Sequence, residues 1–559
     1  MSINLWRRAP ARLCIFTNVI TMADNKNGFS SSFGAIMAAA GSAIGLGNIW
    51  RFPYICGKYG GGAAIILYLL FVFLIGMTLL LSELVIGRRT GHTPMLAYEA
   101  LCPKHKGWRY VGLLGLITSF LILSIYLVIS GWTLNYFWES VTGTLASVAD
   151  GDFAAHFGAF AASSVAPVVC LLIFLVLTLL VILGGVQNGI EKVSKILMPI
   201  LLVLVLLLCV RSLTLPGASK GLNYLFHPDF SLLTWEGVLA ILGQALFSLS
   251  VGMGVMIVYG SYIPKNDSLF KSAMWITVCD TAIAILAGVA IFPAVFACGQ
   301  DPAGGPGLVF NVLPVVFNSM GKVGSIVFGG AFFLLLAVAA LTSAISLLEA
   351  LTAWGADYGK SRKRSAIILS LVLAVVASIA SFSFDGGLLN GIKPAGMSFF
   401  DWLDKLTGSY LPPLCALLTI VFFGWFIKKD EIKDELSNHG VLKVSWFKVF
   451  YYILVRFVAP AALLVSLVAG IIPPGSKLSV VVTVALHILA ALIYVIVLPL
   501  CVSYVAKAKG RNGVCWFFLT LVITPLFAFL MLIALGDTDE RHRKRIIDDE
   551  LLRQSINRV

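Results

Sequence analysis

Apolar residues in this chain come in long unbroken runs, not in strict alternation. Twelve such runs are read at roughly 30–57, 63–88, 109–142, 164–184, 190–214, 234–264, 269–298, 323–357, 363–382, 398–427, 447–471 and 478–506. A helix rising about 1.5 Å per residue crosses a hydrocarbon core of about 30 Å in about 20 residues. Each run reaches that length. Strands of a membrane barrel need only about 9–11 residues of alternating polarity, a pattern these runs lack. The expectation is an all-α integral membrane protein of about a dozen spans.

Composition agrees. Of the 559 residues, 59% are apolar and 12% charged, against about 25% charged in soluble domains. The net charge is +13, and its placement explains it. Arg88, Arg89, Lys104, Lys106 and Arg109 cluster after the second run, GKSRKRS follows the eighth, KKDEIKDEL the tenth and AKAKGRNG the twelfth. The alternate segments VADGDFAAHF and CGQDPAGGPG are poor in Lys and Arg. The positive-inside rule then puts the N-terminus of this multi-pass inner-membrane protein in the cytoplasm. The excess charge sets orientation and implies no nucleic-acid partner. The ten cysteines form no CxxC or Cys/His metal spacing and read as small core residues.

Four regions follow from this pass. Residues 1–25 read as a cytoplasmic tail, or as a misplaced start ahead of Met22; 26–427 hold ten spans; 428–512 hold the eleventh and twelfth. Residues 513–559 hold a further apolar segment and a charged tail. That segment, 513–535, has Pro525 at its centre. A thirteenth span would carry the tail DTDERHRKR outside, and a re-entrant hairpin would keep it inside. The sequence leaves both open.

Two spans carry matching interruptions. The first contains GSAIGLGN (Gly41–Asn48) and the sixth SLSVGMG (Ser248–Gly254). Glycine costs a helix about 1 kcal/mol against alanine, so both helices are weak at mid-depth. Close helix packing through small residues is one use of such clusters. Paired breaks in corresponding spans of two five-span halves point instead to an inverted-repeat transporter with its site at the breaks. Unwound backbone frees carbonyls for cations and helix N-termini for an anion.

GSAIGLGNIWRFPY followed by GKYGGGAA, GQALFSLSVGMGVMIVYGSYI in span six, ALTSAIS in span eight and VFFGW closing span ten extend the pattern. With these motifs the chain resembles the neurotransmitter:sodium symporter family, in its bacterial amino-acid-transporting branch, over roughly 26–470. The implied fold is a 5+5 inverted-repeat bundle (the leucine-transporter fold) with two or three additional C-terminal spans. The implied activity is sodium-coupled amino-acid import, without enzymatic chemistry.

The resemblance also implies site residues. One sodium would take the Ala43 carbonyl, Asn48, Ser248 and Asp280, with the substrate carboxylate completing the shell. A second would take carbonyls of Gly41, Ile44 and Ala339 and the hydroxyls of Thr342 and Ser343. Hard oxygen donors of this kind suit such a cation. Many relatives have asparagine where this chain has Asp280. Tyr68, Gln244 and Ser248 match three positions of the chloride site of chloride-dependent relatives, but Ala284 replaces its serine. A buried carboxylate can supply the negative charge chloride otherwise brings, so no chloride requirement is expected.

Gly45 stands where amine transporters of the family place an aspartate. That implies a substrate with its own carboxylate, bound along Ala43, Gly45, Gly47, Ile122, Tyr126, Phe247, Ser250, Met253, Ser343 and Leu347. The apolar members favour a hydrophobic or aromatic side chain. Arg51 and Asp404 match the outer gate, and Lys26 and Asp357 the inner ion pair, with Tyr262 beside it. Lys26 stands in place of the usual arginine and Phe29 in place of a common tryptophan. Gly189 and Pro199 could let the fifth span unwind. Proton coupling within the same fold, or an amino-acid sensor or channel, are the rival functions. The amino acid, the sodium stoichiometry and the oligomeric state stay open, and lipid is the other expected partner.

Overall fold

The computed structural model describes residues 28–149, 152–299, 309–384, 386–438, 451–471, 495, 498–523, 525–536, 538–540 and 543. Lys26 and most of the twelfth apolar run lie outside these residues. The chain divides into two compact units, 1–441 and 442–559, taken separately below.

The regular secondary structure of the first unit's described residues is helical, apart from one isolated backbone bridge between Gly61 and Pro228. Among all described residues nine helices are long and apolar enough to cross a membrane, ten when the two halves of the first span are joined. In the first unit they are Gly62–Thr90, Lys106–Thr142, Ala166–Leu183, Val186–Leu213, Leu269–Ala297, Gly321–Asp357, Arg362–Phe382 and Phe399–Trp425. Each overlaps a run expected from the sequence. Where the sequence reads loops, the structure adds short helices at Pro94–Leu101, Phe153–Ala162 and Ala218–Phe226.

Enclosure differs sharply between spans. The most apolar stretches of Lys106–Thr142 and Gly321–Asp357 are 72% and 78% buried, and those of Ala166–Leu183 and Val186–Leu213 only 33%. The third and eighth spans thus lie in the protein interior, and the fourth and fifth at its periphery with much of their apolar surface exposed. A membrane interior offers no hydrophobic gain for packing, so exposed leucines and valines there are at no disadvantage.

Both expected interruptions are present. The first span is capped by Ser31, whose hydroxyl accepts from the Gly34 N–H, and runs helically over Ser32–Ala43. It then opens at Ile44 into extended backbone and resumes at Gly47, bent by 49°. The sixth span, Trp235–Ser248, is capped by Thr234 and resumes as Val255–Tyr262. Between them Ser250, Gly252 and Gly254 take φ of 53°, 76° and 78°, which ends a right-handed helix. Glycine is required at 252 for space as well: a Cβ there would lie 2.4 Å from the Pro412 carbonyl oxygen.

Side-chain ties gather several helix ends at one end of this unit. Arg88 in the last turn of span two pairs with Glu435 after span ten, and Arg89 beside it with Glu431. Asp357, closing span eight, accepts from the Thr93 N–H at 2.7 Å. Ser32, opening span one, bonds Asp267 after span six. The segments that follow spans two, eight and ten, three of those expected on one side of the membrane, are therefore physically joined.

The second unit contains the eleventh span, Tyr451–Val468. It also contains three short helices, Leu498–Ala508, Gly513–Ile523 and Pro525–Ala534.

Candidate functional site

The two breaks face a small cavity of about 20 Å³, room for about one water molecule. Its lining is Ser42, Ala43, Gly45, Gly47, Ile122, Tyr126, Phe247, Ser250, Met253, Ser343 and Leu347. All ten residues read from the sequence as substrate contacts are brought together here, from the first, third, sixth and eighth spans. Ser42 is the one lining residue the sequence reading omitted. It lies in the same GSAIGLGN motif, and its carbonyl accepts from the hydroxyls of Ser250 and Ser343 at 2.9 and 3.0 Å.

The cavity is polar at one end and apolar at the other. At the polar end the Tyr126 hydroxyl accepts from the Leu46 N–H at 2.9 Å, inside the break. Ile122, Phe247, Met253 and Leu347 supply the apolar wall. No acidic side chain is among the lining residues. Gly45 leaves no space for one: a Cβ would lie 2.4 Å from Ser343 Oγ and 2.6 Å from Tyr126 Oη.

Beside the cavity sits a buried carboxylate. Asp280 is fully enclosed. Its Oδ1 accepts from Asn48 Nδ2 at 2.7 Å, and its Oδ2 from Ser248 Oγ at 2.7 Å and Tyr68 Oη at 3.3 Å. Every one of these donors is neutral. A buried charge without an opposite charge is costly, so this arrangement fits a bound cation. Asn48, Ser248 and Asp280, three of the donors expected of the first sodium site, meet here, with one change. Asn48 turns its nitrogen toward Asp280 and Ser248 and gives its oxygen to the Gly45 N–H at 3.2 Å. For a cation to receive that oxygen, the amide must turn over.

The donors expected of a second sodium also converge. Thr342 Oγ1 lies 3.0 Å from the Ala339 carbonyl and 3.4 Å from that of Ile44. Ser343 Oγ lies 3.4 Å from the Ile44 carbonyl. Gly41 packs against Thr342: a Cβ on it would touch the Thr342 side chain at 3.4 Å. Thr342 and Ser343 thus reach across to the first span, which hydroxyls that only cap their own helix do not do.

The outer gate is arranged differently from the expected ion pair, and Lys26 of the inner pair lies outside the described residues. Among the described residues Arg51 and Asp404 make no direct contact within 4.0 Å. Arg51 instead lies over the Phe247 ring, 5.5 Å from its centroid, and reaches the Gly408 carbonyl at 3.5 Å. At the other end Phe29 is wedged edge-on between Tyr259 and Tyr262, at 5.7 and 5.9 Å. Asp357 has the Thr93 N–H and, at 3.7 Å, His92. Tyr262 donates to Glu349 at 2.7 Å, and Arg362 grips the same carboxylate with two bonds of 2.6 Å.

That Glu349–Arg362–Tyr262 cluster was not anticipated, nor was Glu83, which accepts from the Gly252 N–H at 2.7 Å in the sixth-span break. Both glutamates sit inside apolar spans. An ionisable residue there is costly and marks function or a partner, and that signal alone would have found them. Gly189 lies in a wide turn, Val186–Glu191, ahead of the helix that contains Pro199.

The comparisons with known proteins agree with this geometry. The model of the "Sodium:neurotransmitter symporter family" matches residues 26–151 and 162–509. "Uncharacterized sodium-dependent transporter YhdH" of Bacillus subtilis (strain 168) is 40% identical over 438 residues, 78% of this chain and 96% of that protein. An "Uncharacterized sodium-dependent transporter" of Haemophilus influenzae is 34% identical, over 79% of this chain and 98% of that one. Among solved structures, that of MhsT in complex with L-phenylalanine is 41% identical with a TM-score of 0.73, covering 79% of this chain and 99% of that one.

Proposed function

The chain belongs to the sodium:neurotransmitter symporter family and is a sodium-dependent membrane transporter, not an enzyme, and on that basis we propose that it imports a hydrophobic or aromatic α-amino acid by alternating access. One observation carries the substrate class: the cavity joins a backbone-rich polar end at Tyr126 and Leu46 to an apolar wall, with no acidic lining residue. The substrate carboxylate faces the polar end, and its side chain lies against Ile122, Phe247, Met253 and Leu347. A substrate with an amine but no carboxylate finds no counter-charge there. Met253 is flexible and adapts the wall to bulky side chains. The phenylalanine held by MhsT is of the class proposed.

Sodium is cargo as well as ligand. Asn48, Ser248, Asp280 and the Ala43 carbonyl take one ion; Thr342, Ser343 and carbonyls of Gly41, Ile44 and Ala339 take another. Each ion crossing 100 mV yields about 2.3 kcal/mol, and a tenfold gradient adds about 1.4. About 3.7 kcal/mol per ion supports a solute gradient of several hundredfold. Transport needs no chloride, because the Asp280 carboxylate already takes the Tyr68 and Ser248 hydroxyls. Binding closes Arg51 and Phe247 over the cavity. Opening to the other side separates Phe29 from Tyr259 and Tyr262. The basic loops face the cytoplasm of a bacterial inner membrane, and the N-terminus with them.

Thermal stabilisation of the purified protein tests the substrate class, since a ligand of the folded state raises the melting temperature. Phenylalanine, tyrosine, tryptophan or leucine should stabilise it in sodium chloride and equally in sodium gluconate, but not in potassium chloride. Stabilisation by amines lacking a carboxylate would overturn the proposed class. A requirement for chloride would overturn the role given to Asp280.

A further inference from the structure

We propose that residues 513–536 form a re-entrant hairpin seated among the acyl chains of the cytoplasmic leaflet, returning the C-terminal tail to the side it left.

The two arms, Gly513–Ile523 and Pro525–Ala534, have 11 and 10 residues. At about 1.5 Å per residue each is about 15 Å long, half of a hydrocarbon core of about 30 Å. Both outer ends are tied to the same loop. The first arm starts at Asn512, whose side-chain oxygen accepts from the N–H groups of Val514 and Cys515 at 3.0 and 3.4 Å. The second arm ends where Lys509 Nζ donates to the Leu532 carbonyl at 2.8 Å and Arg511 Nη2 to that of Leu535 at 2.9 Å. The Thr538 N–H then bonds the Lys509 carbonyl at 3.0 Å. A helix C-terminus leaves carbonyls without intrahelical partners, and cations there also match its dipole. A continuous span would carry residues 512 and 538 to opposite faces of the membrane, whereas here residues 509–512 hold both ends.

The surface of the hairpin says what covers it. One face of each arm packs against Leu498–Ala508, through Trp516, Ala528 and Leu532 onto Val502 and Ala506. The other face is exposed and apolar: Val514, Phe518 and Val522 on the first arm, Phe527, Met531 and Leu535 on the second. Each set repeats every fourth residue, so each forms one continuous stripe. No charged residue occurs from 513 to 534. Thr520 spends its hydroxyl on the Trp516 carbonyl at 2.6 Å. A surface with paired polar groups and two apolar stripes is suited to hydrocarbon, and its basic loop, AKAKGRNG, belongs at the cytoplasmic headgroups.

The test uses the full chain in native membranes. Lys507→Cys and Asp539→Cys, each the single cysteine of a cysteine-free chain, are labelled with an impermeant maleimide in spheroplasts and in inverted vesicles. Both should label only in inverted vesicles. Labelling of the two from opposite sides, or of both from outside, overturns the proposal. A spin label at Val522→Cys should meet dissolved oxygen more often than a water-soluble nickel chelate; the reverse order means a water-exposed or protein-covered hairpin and also overturns it. Should the cysteine-free chain fail to fold, a protease-sensitive tag after Val559 in the otherwise unchanged chain gives the same answer: cleavage only in inverted vesicles supports the hairpin, and cleavage in spheroplasts refutes it.

Discussion

Replacing Asp280 by asparagine removes one charge and almost no volume. The carboxylate accepts from Asn48 at 2.7 Å, Ser248 at 2.7 Å and Tyr68 at 3.3 Å, and has no cationic side chain among its described partners. In the proposed mechanism a sodium ion provides the missing positive charge. Removing one member of a buried charge pair costs about 3–5 kcal/mol. At about 1.4 kcal/mol per decade, sodium should bind the Asp280→Asn protein roughly 100- to 4000-fold more weakly. A second effect follows from the same geometry. The hydroxyls of Tyr68 and Ser248 lose their anionic acceptor, and chloride should then restore part of the sodium affinity, which it does not do for the parent chain. Sodium titrations of labelled phenylalanine binding, in chloride and in gluconate, read both effects. Sodium affinity within threefold of the parent in both salts would refute the assignment of Asp280 as the counter-charge.

Three more outcomes follow from the site. Gly45→Ala places a methyl 2.4 Å from Ser343 Oγ and 2.6 Å from Tyr126 Oη; overpacking costs about 1–3 kcal/mol, so phenylalanine affinity should fall about tenfold or more in an equilibrium binding assay. Thr342→Ala removes a hydroxyl that lies 3.0 Å from the Ala339 carbonyl; sodium-driven uptake should be lost, and in equilibrium phenylalanine binding the Hill coefficient for sodium should fall toward one. Arg362→Leu strands the fully buried Glu349 carboxylate at a cost of about 3–5 kcal/mol; thermal unfolding in detergent should show a marked drop, largely reversed by adding Glu349→Leu.

Much of this architecture is legible in the sequence, because a bilayer asks for long apolar helices and forbids exposed loops in its core. The boundaries of Lys106–Thr142 and Gly321–Asp357 lie within three residues of the apolar runs. GSAIGLGN and SLSVGMG announce the two breaks through glycine, whose left-handed freedom the chain uses at Gly252 and Gly254. The family resemblance that these and the other motifs carry implies ten of the eleven cavity residues. What escaped depends on side-chain partnership at long range. Glu349 meets Arg362 across a helix end and a loop, and Tyr262 joins them from another span, so no local pattern records the cluster. Arg51 and Asp404 occupy the expected positions, but whether they touch depends on the relative placement of spans one and ten. The orientation of the Asn48 amide depends on the Gly45 N–H competing with a cation for its oxygen. The sequence leaves the segment 513–535 open for a similar reason: apolar length alone does not distinguish one 23-residue span from two 10- and 11-residue arms, and the bonds that support the proposed hairpin come from Lys509 and Arg511.

The central claim is that a sodium gradient drives an apolar amino acid through the cavity at the breaks. The most direct measurement is uptake of labelled leucine, tyrosine, tryptophan and phenylalanine into proteoliposomes under an inward sodium gradient, with a potassium gradient as control. The account predicts accumulation with sodium alone, abolished in the Asn48→Ala and Thr342→Ala proteins. Equal uptake in the two gradients, or accumulation that survives both substitutions, would contradict it.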